Sequence, residues 1–237
     1  MVSRAAEQRV RLPLFKARWL TQTFVHWRYE PAAVQRLLPH GLTAGTCDGS
    51  AWVTLTPFAM TALRPAGLPP TPVAFCETNL RTYVRLPDGR DGLWFLSLEV
   101  TAPPMLAARA IGIPYRLGRL RIREQGDIVR YTGVRAGGRP SYDLTVRPGA
   151  PVVPDDLDVW LTSRWRAFSL DPAGARLWET PVEHEPWPLR RAALAGFDQT
   201  LTAAAGLPQP PAPALVHFSP GVRHVRLGVP RPVPGRR

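Results

Sequence analysis

Two β-rich runs, 75–85 (FCETNLRTYVR) and 92–100 (GLWFLSLEV), are joined by LPDGRD, whose Asp88-Gly89 pair is a strong hairpin-turn signal. Side chains alternate across a strand, so Glu77, Asn79, Arg81 and Tyr83 share one face, and Cys76, Thr78, Leu80, Thr82 and Val84 share the other. One face of this strand is therefore polar and ionisable along its whole length. A fold that accepts it must give those groups partners or a ligand.

The neighbouring segments follow the same style. ARWLTQTFVHWRY reads as a strand, EPAAVQRLL (30–38) as a short amphipathic helix opened by Pro31, and DGSAWVTLTPFAM as a second strand after an Asp48-Gly49 turn. A small-residue helical turn over 103–115 is closed by Gly112 and Pro114. RLGRLRIRE then sets Arg119, Arg121 and Arg123 on one strand face, DIVRYTGVR returns antiparallel, and SYDLTVRPG is a further strand. Leu157, Trp160, Leu161, Trp165 and Phe168 predict a helix over 155–168, and PLRRAALAGF predicts another short helix. After the proline-rich connector 206–213, VHFSPGVRHVRLG is a last strand and VPRPVPGRR a frayed end. The pattern predicts one mainly β (α+β) domain over 1–237, with its core at about 13–226, rather than a doubly wound sheet.

Composition narrows the chemistry. Of 30 Lys plus Arg, Lys16 is the only lysine, so a mechanism that needs two is excluded. The net charge of +12 suits nucleic acid, acidic lipid or anionic metabolites without choosing among them. The eight tryptophans are spread through periodic apolar segments, as core residues are, and no RNA- or DNA-binding signature is present, which argues against nucleic acid. Cys47 and Cys76 form no CxxC, and the five histidines form no HxH or HExxH, so neither a metal nor a cofactor is expected. No run of about 18 uncharged apolar residues exists to span a bilayer, and the N-terminus lacks a secretory apolar stretch; a cytoplasmic protein is expected.

Six ordered stretches, HWRYEPAAVQRLLPHGL, DGSAWVTLTPFAM, FCETNLRTYVRLPDGRDGLWFLSLE, ARAIGIPY, HEPWPL and HFSPGV, resemble the YqjF-like family of uncharacterised bacterial proteins, over about residues 13–226. The resemblance implies the acetoacetate-decarboxylase-like superfamily, and so a cone-shaped, mostly antiparallel β-barrel with a few short flanking helices around a small-molecule cavity. The decarboxylase works through a lysine imine activated by a second lysine. Arg109 and Ala110 stand where that pair would fall, and a guanidinium cannot form the imine.

What the resemblance implies for this chain is therefore a small, anionic ligand, a carboxylate, without imine chemistry. Glu77 matches a cavity glutamate and is the candidate general acid or base, with an internal Glu77–Arg81 ion pair as its purely structural alternative. Arg81 and Arg109 are candidate anion clamps, and Tyr115 a hydroxyl donor. His217 and Ser219 are candidates to line the cavity or to fix the last strand. Arg85, Arg119, Arg121 and Arg123 read as a solvated face. Three functions stay open: a cavity enzyme using acid–base chemistry, a binding or regulatory protein without turnover, and a basic protein for nucleic acid or acidic membrane. A homo-oligomer is left open.

Overall fold

The computed structural model describes residues 3–70, 72–210 and 215–234. The aromatic first segment is β1 (Phe15–Tyr29), followed by α1 (Pro31–Gln35), β2 (Thr43–Ala44), β3 (Thr46–Cys47) and β4 (Ser50–Pro65). Asp48 and Gly49 both take positive φ, 51° and 72°, as the two-residue turn between β3 and β4 requires. Then come β5 (Ala74–Arg85), β6 (Asp91–Val100), a 3-10 segment (Pro103–Ile111), β7 (Arg116–Gln125), β8 (Ile128–Arg135) and β9 (Ser141–Pro151). The chain continues through α2 (Asp156–Thr162), β10 (Arg166–Leu170), β11 (Leu177–Glu183), β12 (Arg190–Gln199), α3 (Leu201–Ala204), β13 (Leu215–Leu227) and β14 (Arg231–Pro232).

These strands join in one sheet, whose path runs β6-β7-β8-β9-β12-β13-β1-β4-β5. The end of this path, β5, also pairs with its start, β6, so the hydrogen-bonded order returns on itself. All pairings are antiparallel except β6–β7 and β6–β10. As a consequence β5 is buried on both faces. Leu80 packs into a core with Leu120, Tyr131, Tyr142 and Leu144, while Glu77, Asn79 and Arg81 face the other way. A bulge between Leu80 and Arg81 shifts the register against β6. No helix among the described residues is long and apolar enough to cross a membrane.

Three expectations change. The helix over 155–168 stops at Thr162, and Arg166–Leu170 is a strand between β6 and β11. The helix starts on a capping box, with Asp155 and Asp158 each accepting the other's backbone N–H. It ends where Ser163 takes extended backbone (φ −105°, ψ 98°). The spacing of Trp165 and Phe168 mimicked another turn, but Phe168 lies in β10 and Trp165, just before that strand, packs its ring against His184. Residues 188–197 are not helical either: β12 fills the gap between β9 and β13, with Ala192 and Leu194 turned to the core at a period of two. Helix propensity among ordinary residues differs by less than about 1 kcal/mol each, so two waiting strand edges outweigh it.

At the C-terminal end, Arg231 and Pro232 pair with β11 instead of hanging free, while residues 235–237 lie outside the described residues. The first residues are tied down as well: Trp165 Nε1 donates to the Ser3 carbonyl and Arg226 Nε to that of Val10. Of the proline-rich connector, residues 211–214 lie outside the described residues.

The 3-10 segment is locked by Gly112, which takes φ 82° and sits against β10, where a Cβ would run into the Leu170 carbonyl. Gly112→Ala combines a left-handed backbone with an overpacked contact and should cost about 2 kcal/mol. The expected result in thermal unfolding is a Tm lowered by about 4–8 °C; an unchanged Tm would contradict this role.

Candidate functional site

The polar face of β5 borders a cavity of about 500 Å³. Its walls come from β1, β4, β5 and β6 on one side and from the 3-10 segment, β10, β11 and residues 184–187 on the other. Glu77, Arg81 and Tyr115 meet there. Tyr115 follows the turn that Gly112 and Pro114 close, and its hydroxyl donates to Glu77 Oε2 at 2.7 Å. Burial pushes the Glu77 carboxyl up to about 7, against the pull of its hydrogen bonds with Tyr115 and Asn79. Glu77 therefore holds a proton at mildly acid pH, while burial and the adjacent carboxyl hold the Tyr115 phenol far above its ordinary value.

Arg81 is not the ion-pair partner of Glu77. No carboxylate lies within 4 Å of its guanidinium among the described residues; its neighbours are the Tyr83 hydroxyl, with which it shares a side-chain hydrogen bond, and the Phe24 ring, whose centroid is 5.4 Å away. Two further arginines, which the sequence did not single out, line the same cavity. Arg164 lies over Trp160 and Tyr83, at 4.5 and 4.9 Å from their ring centroids, and Arg166 donates to the Asp91 carbonyl. All three are buried, with relative exposures of 7%, 6% and 6%. Burial lowers the guanidinium of Arg164 to about 10 and that of Arg81 below its ordinary value. The Nε of each has no hydrogen-bond partner; Asp91 Oδ2 stands 3.8 Å from that of Arg164, too far for a hydrogen bond. Trp19 Nε1, Gln22 Oε1 and Asn79 Oδ1, also on the cavity wall, are unpartnered too.

The HEPWPL stretch contributes His184 and Trp187 to the cavity. The His184 ring sits among Trp19, Trp165 and Trp187, and its Nδ1 lies 2.6 Å from the Glu185 carbonyl. A carbonyl only accepts, so Nδ1 carries the hydrogen and Nε2 is left as an acceptor. Burial holds this histidine neutral, at about 4.

Arg109, His217 and Ser219 are not lining residues. The Arg109 side chain is exposed, and its Nε donates to the Tyr115 carbonyl at 2.7 Å, so it secures the loop that carries Tyr115 instead of clamping a ligand inside. Ser219 accepts from the Gly221 N–H, at a kink where Gly221 takes φ 120° and a Cβ would strike β1. His217 belongs to a buried chain of hydrogen bonds: His217 Nδ1 to His26 Nε2 at 3.2 Å, His26 Nδ1 to Thr54 Oγ1 at 2.8 Å, Thr54 Oγ1 to Tyr83 Oη at 2.7 Å, and Tyr83 Oη to the Leu161 carbonyl at 2.5 Å, while Asp158 Oδ1 stands 2.9 Å from His217 Nε2. Arg191 Nη1 reaches both Asp158 and His217 at 2.8 Å.

The direction of this chain follows from its ends. Tyr83 must donate to the Leu161 carbonyl, so its oxygen accepts from Thr54, and Thr54 accepts from His26 Nδ1. His26 Nε2 then accepts from His217 Nδ1, which leaves Nε2 of the neutral His217 to accept from Arg191 with no hydrogen for Asp158, whose two carboxylate oxygens are held by Arg191 instead. Burial lowers both histidines, so each is neutral and each is the Nδ1–H tautomer. From His217 to the Leu161 carbonyl every donor has an acceptor, which marks this stretch as structural. Nothing in the sequence spacing of residues 26, 54, 83, 158 and 217 announces it.

Arg164 and Arg166 fall inside the helix expected over 155–168, and so nothing in the spacing set them apart as cavity residues. Metal chemistry finds no support in side-chain grouping, since no three His, Cys, Asp or Glu side chains cluster at metal-binding distance among the described residues.

The model of the DUF2071 family, described as "Uncharacterized conserved protein (COG2071)", matches residues 16–223. The "Uncharacterized protein YqjF" of Bacillus subtilis (strain 168) is 30% identical over 231 residues, covering 92% of this chain and 94% of that protein. Among solved structures, an acetoacetate decarboxylase-like enzyme from Sphingomonas wittichii RW1 is similar with a TM-score of 0.65 at 17% identity, over 94% of each chain. The enduracididine biosynthesis enzyme MppR complexed with pyruvate gives 0.65 at 17%, over 95% of this chain and 93% of that one. Acetoacetate decarboxylase from Legionella pneumophila gives 0.64 at 14%, over 96% and 92%. At these identities the likeness is one of fold.

Two outcomes are expected. The fold holds a proton on Glu77 that the unfolded chain releases between pH 4.5 and 7; its contribution to stability is fully present below pH 4.5, is lost as pH rises through that window and is gone above 7, about 3 kcal/mol in all. Unfolding free energies measured across pH 4–8 should show this slope in the native protein and not in Glu77→Gln; equal slopes would contradict it. In ¹⁵N NMR, His26 and His217 should both be Nδ1–H tautomers at pH 7, and Thr54→Val should abolish that preference at His26. An Nε2–H form at either ring in the native protein would reverse the chain.

Proposed function

This chain belongs to the DUF2071 family, and for it we propose that the cavity binds a small organic anion, a carboxylate, within a cone-shaped antiparallel barrel and without imine chemistry. One observation carries the reading: three buried arginines, each with an unpartnered Nε, on the wall of one cavity. Removing a guanidinium from water costs several kcal/mol, and each buried donor left without a partner adds about 1–3 kcal/mol. A bound carboxylate, which accepts forked hydrogen bonds from guanidinium, returns much of that cost. The pyruvate complex of MppR supports the class, since pyruvate is itself a small carboxylate.

The chemistry available there is acid–base chemistry and polarisation. With Tyr115 donating to Oε2, the Glu77 proton is held on Oε1 and is available to an acceptor on the ligand. Arg81 and Arg164 hold negative charge, and His184 Nε2 offers an acceptor. An amine nucleophile is not at hand: Leu14 and Phe15 line the cavity, but Lys16 does not. That same fact favours a second reading, ligand binding without turnover.

Thermal shift and calorimetry with benzoate and benzamide test the proposal. Benzoate should stabilise the protein and benzamide should not; Arg81→Met should lower benzoate affinity by about tenfold or more. Equal response to acid and amide would sink the anion reading. Borohydride with pyruvate should leave no reduced adduct, and one found on Lys16 would overturn the exclusion of an imine.

A further inference from the structure

The residues around the cavity are not mixed at random. The charged ones and the histidine, Glu77, Arg81, Arg164, Arg166 and His184, are all buried, at 5–7% exposure. The outer wall is apolar and much less covered: Pro104 and Ala107 are exposed, and Leu14, Leu63, Met105 and Ile111 are only half-buried. The 3-10 segment that supplies four of these six buries none of its nine residues completely, despite carrying Met105, Leu106 and Ile111. Glu77 is the one acidic residue on the wall, against three arginines. Charge is therefore confined to buried positions, where it lies beside the equally buried Phe58, Met60, Leu98 and Trp187, while the mouth is hydrocarbon.

Size points the same way. A cavity of about 500 Å³ lies within the range of roughly 300–1,000 Å³ that encloses drug-sized molecules. An acid of three or four carbons would neutralise the deep arginines yet leave the apolar wall facing water. We infer that the ligand is an amphipathic monocarboxylic acid, its carboxylate at Arg81 and Arg164 and a bulky hydrocarbon or aromatic body extending along the apolar wall to the mouth at the 3-10 segment. This rests on the anion reading above. It makes the apolar wall a specificity determinant: the deep arginines select the charge, and the mouth selects length.

A chain-length series tests it on the full protein, with acetate, butyrate, hexanoate, octanoate and octanamide as probes in titration calorimetry. Burial of each methylene should tighten binding about fourfold, so octanoate should exceed hexanoate by about 16-fold. Octanamide should bind at least tenfold more weakly than octanoate. Ala107→Asp, a change at an exposed position of the mouth, should weaken octanoate severalfold and leave butyrate unchanged. Affinity independent of chain length overturns the inference while leaving the anion reading intact. Equal affinity for octanoate and octanamide, or no binding by any acid, overturns the anion reading and the inference with it.

Discussion

Three guanidinium groups held out of water around one cavity set the terms for the rest of the molecule. An arginine is always charged, so it cannot escape burial by releasing its proton as a lysine or histidine does. The protein meets the cost partly with aromatic faces, Phe24 under Arg81 and Trp160 and Tyr83 under Arg164, and partly with the Ser163 carbonyl for Arg164, the Asp91 carbonyl and Glu7 carboxylate for Arg166, and the Asp91 carboxylate at 3.8–3.9 Å from both. It leaves the Nε of each without a partner. Much of the architecture serves to keep these side chains where they are. β5 is covered on both faces, α2 breaks at Ser163 so that Arg164 and Arg166 turn inward, and β10 is gripped between β6 and β11.

The molecule contains two kinds of buried polar group, and the contrast between them separates support from site. In the chain His217, His26, Thr54 and Tyr83, every donor finds an acceptor and the order of protons is forced from the Leu161 end. Such a network rigidifies; it has nothing left to offer a ligand. Around the cavity the opposite holds, with open valences on Arg81, Arg164, Arg166, Gln22, Asn79 and Trp19. The two regions touch at Tyr83, whose hydroxyl ends the satisfied chain and whose ring lies under Arg164. The ordered network thus supports the unsatisfied one.

Much of this was legible in the sequence. The polar face of β5, the Asp-Gly turns, the 3-10 turn before Tyr115 and the mainly β class all follow from local patterns that the tertiary structure keeps. What was lost depended on contacts between distant residues. PLRRAALAGF carries good helix formers, and only the vacant edges of β9 and β13 make it a strand. Arg109 looked like the anion clamp because of its place in a motif, yet it faces outward to the Tyr115 carbonyl. Arg164 looked like the end of a helix and proved to be cavity wall. Of the two roles open to His217 and Ser219, lining the cavity or fixing the last strand, their contacts suit the second: one is engaged by Arg191 and His26 and the other by Gly221. Spacing shows which side chains share a face. It does not show which of them still lack a partner.

The measurement that bears most directly on this account is a crystal structure of the protein grown with octanoate. The account predicts the carboxylate within hydrogen-bonding distance of the Arg81 or Arg164 guanidinium, with the alkyl chain running toward the 3-10 segment. A carboxylate bound instead on the exposed arginine row of β7, with none in the cavity, would contradict it.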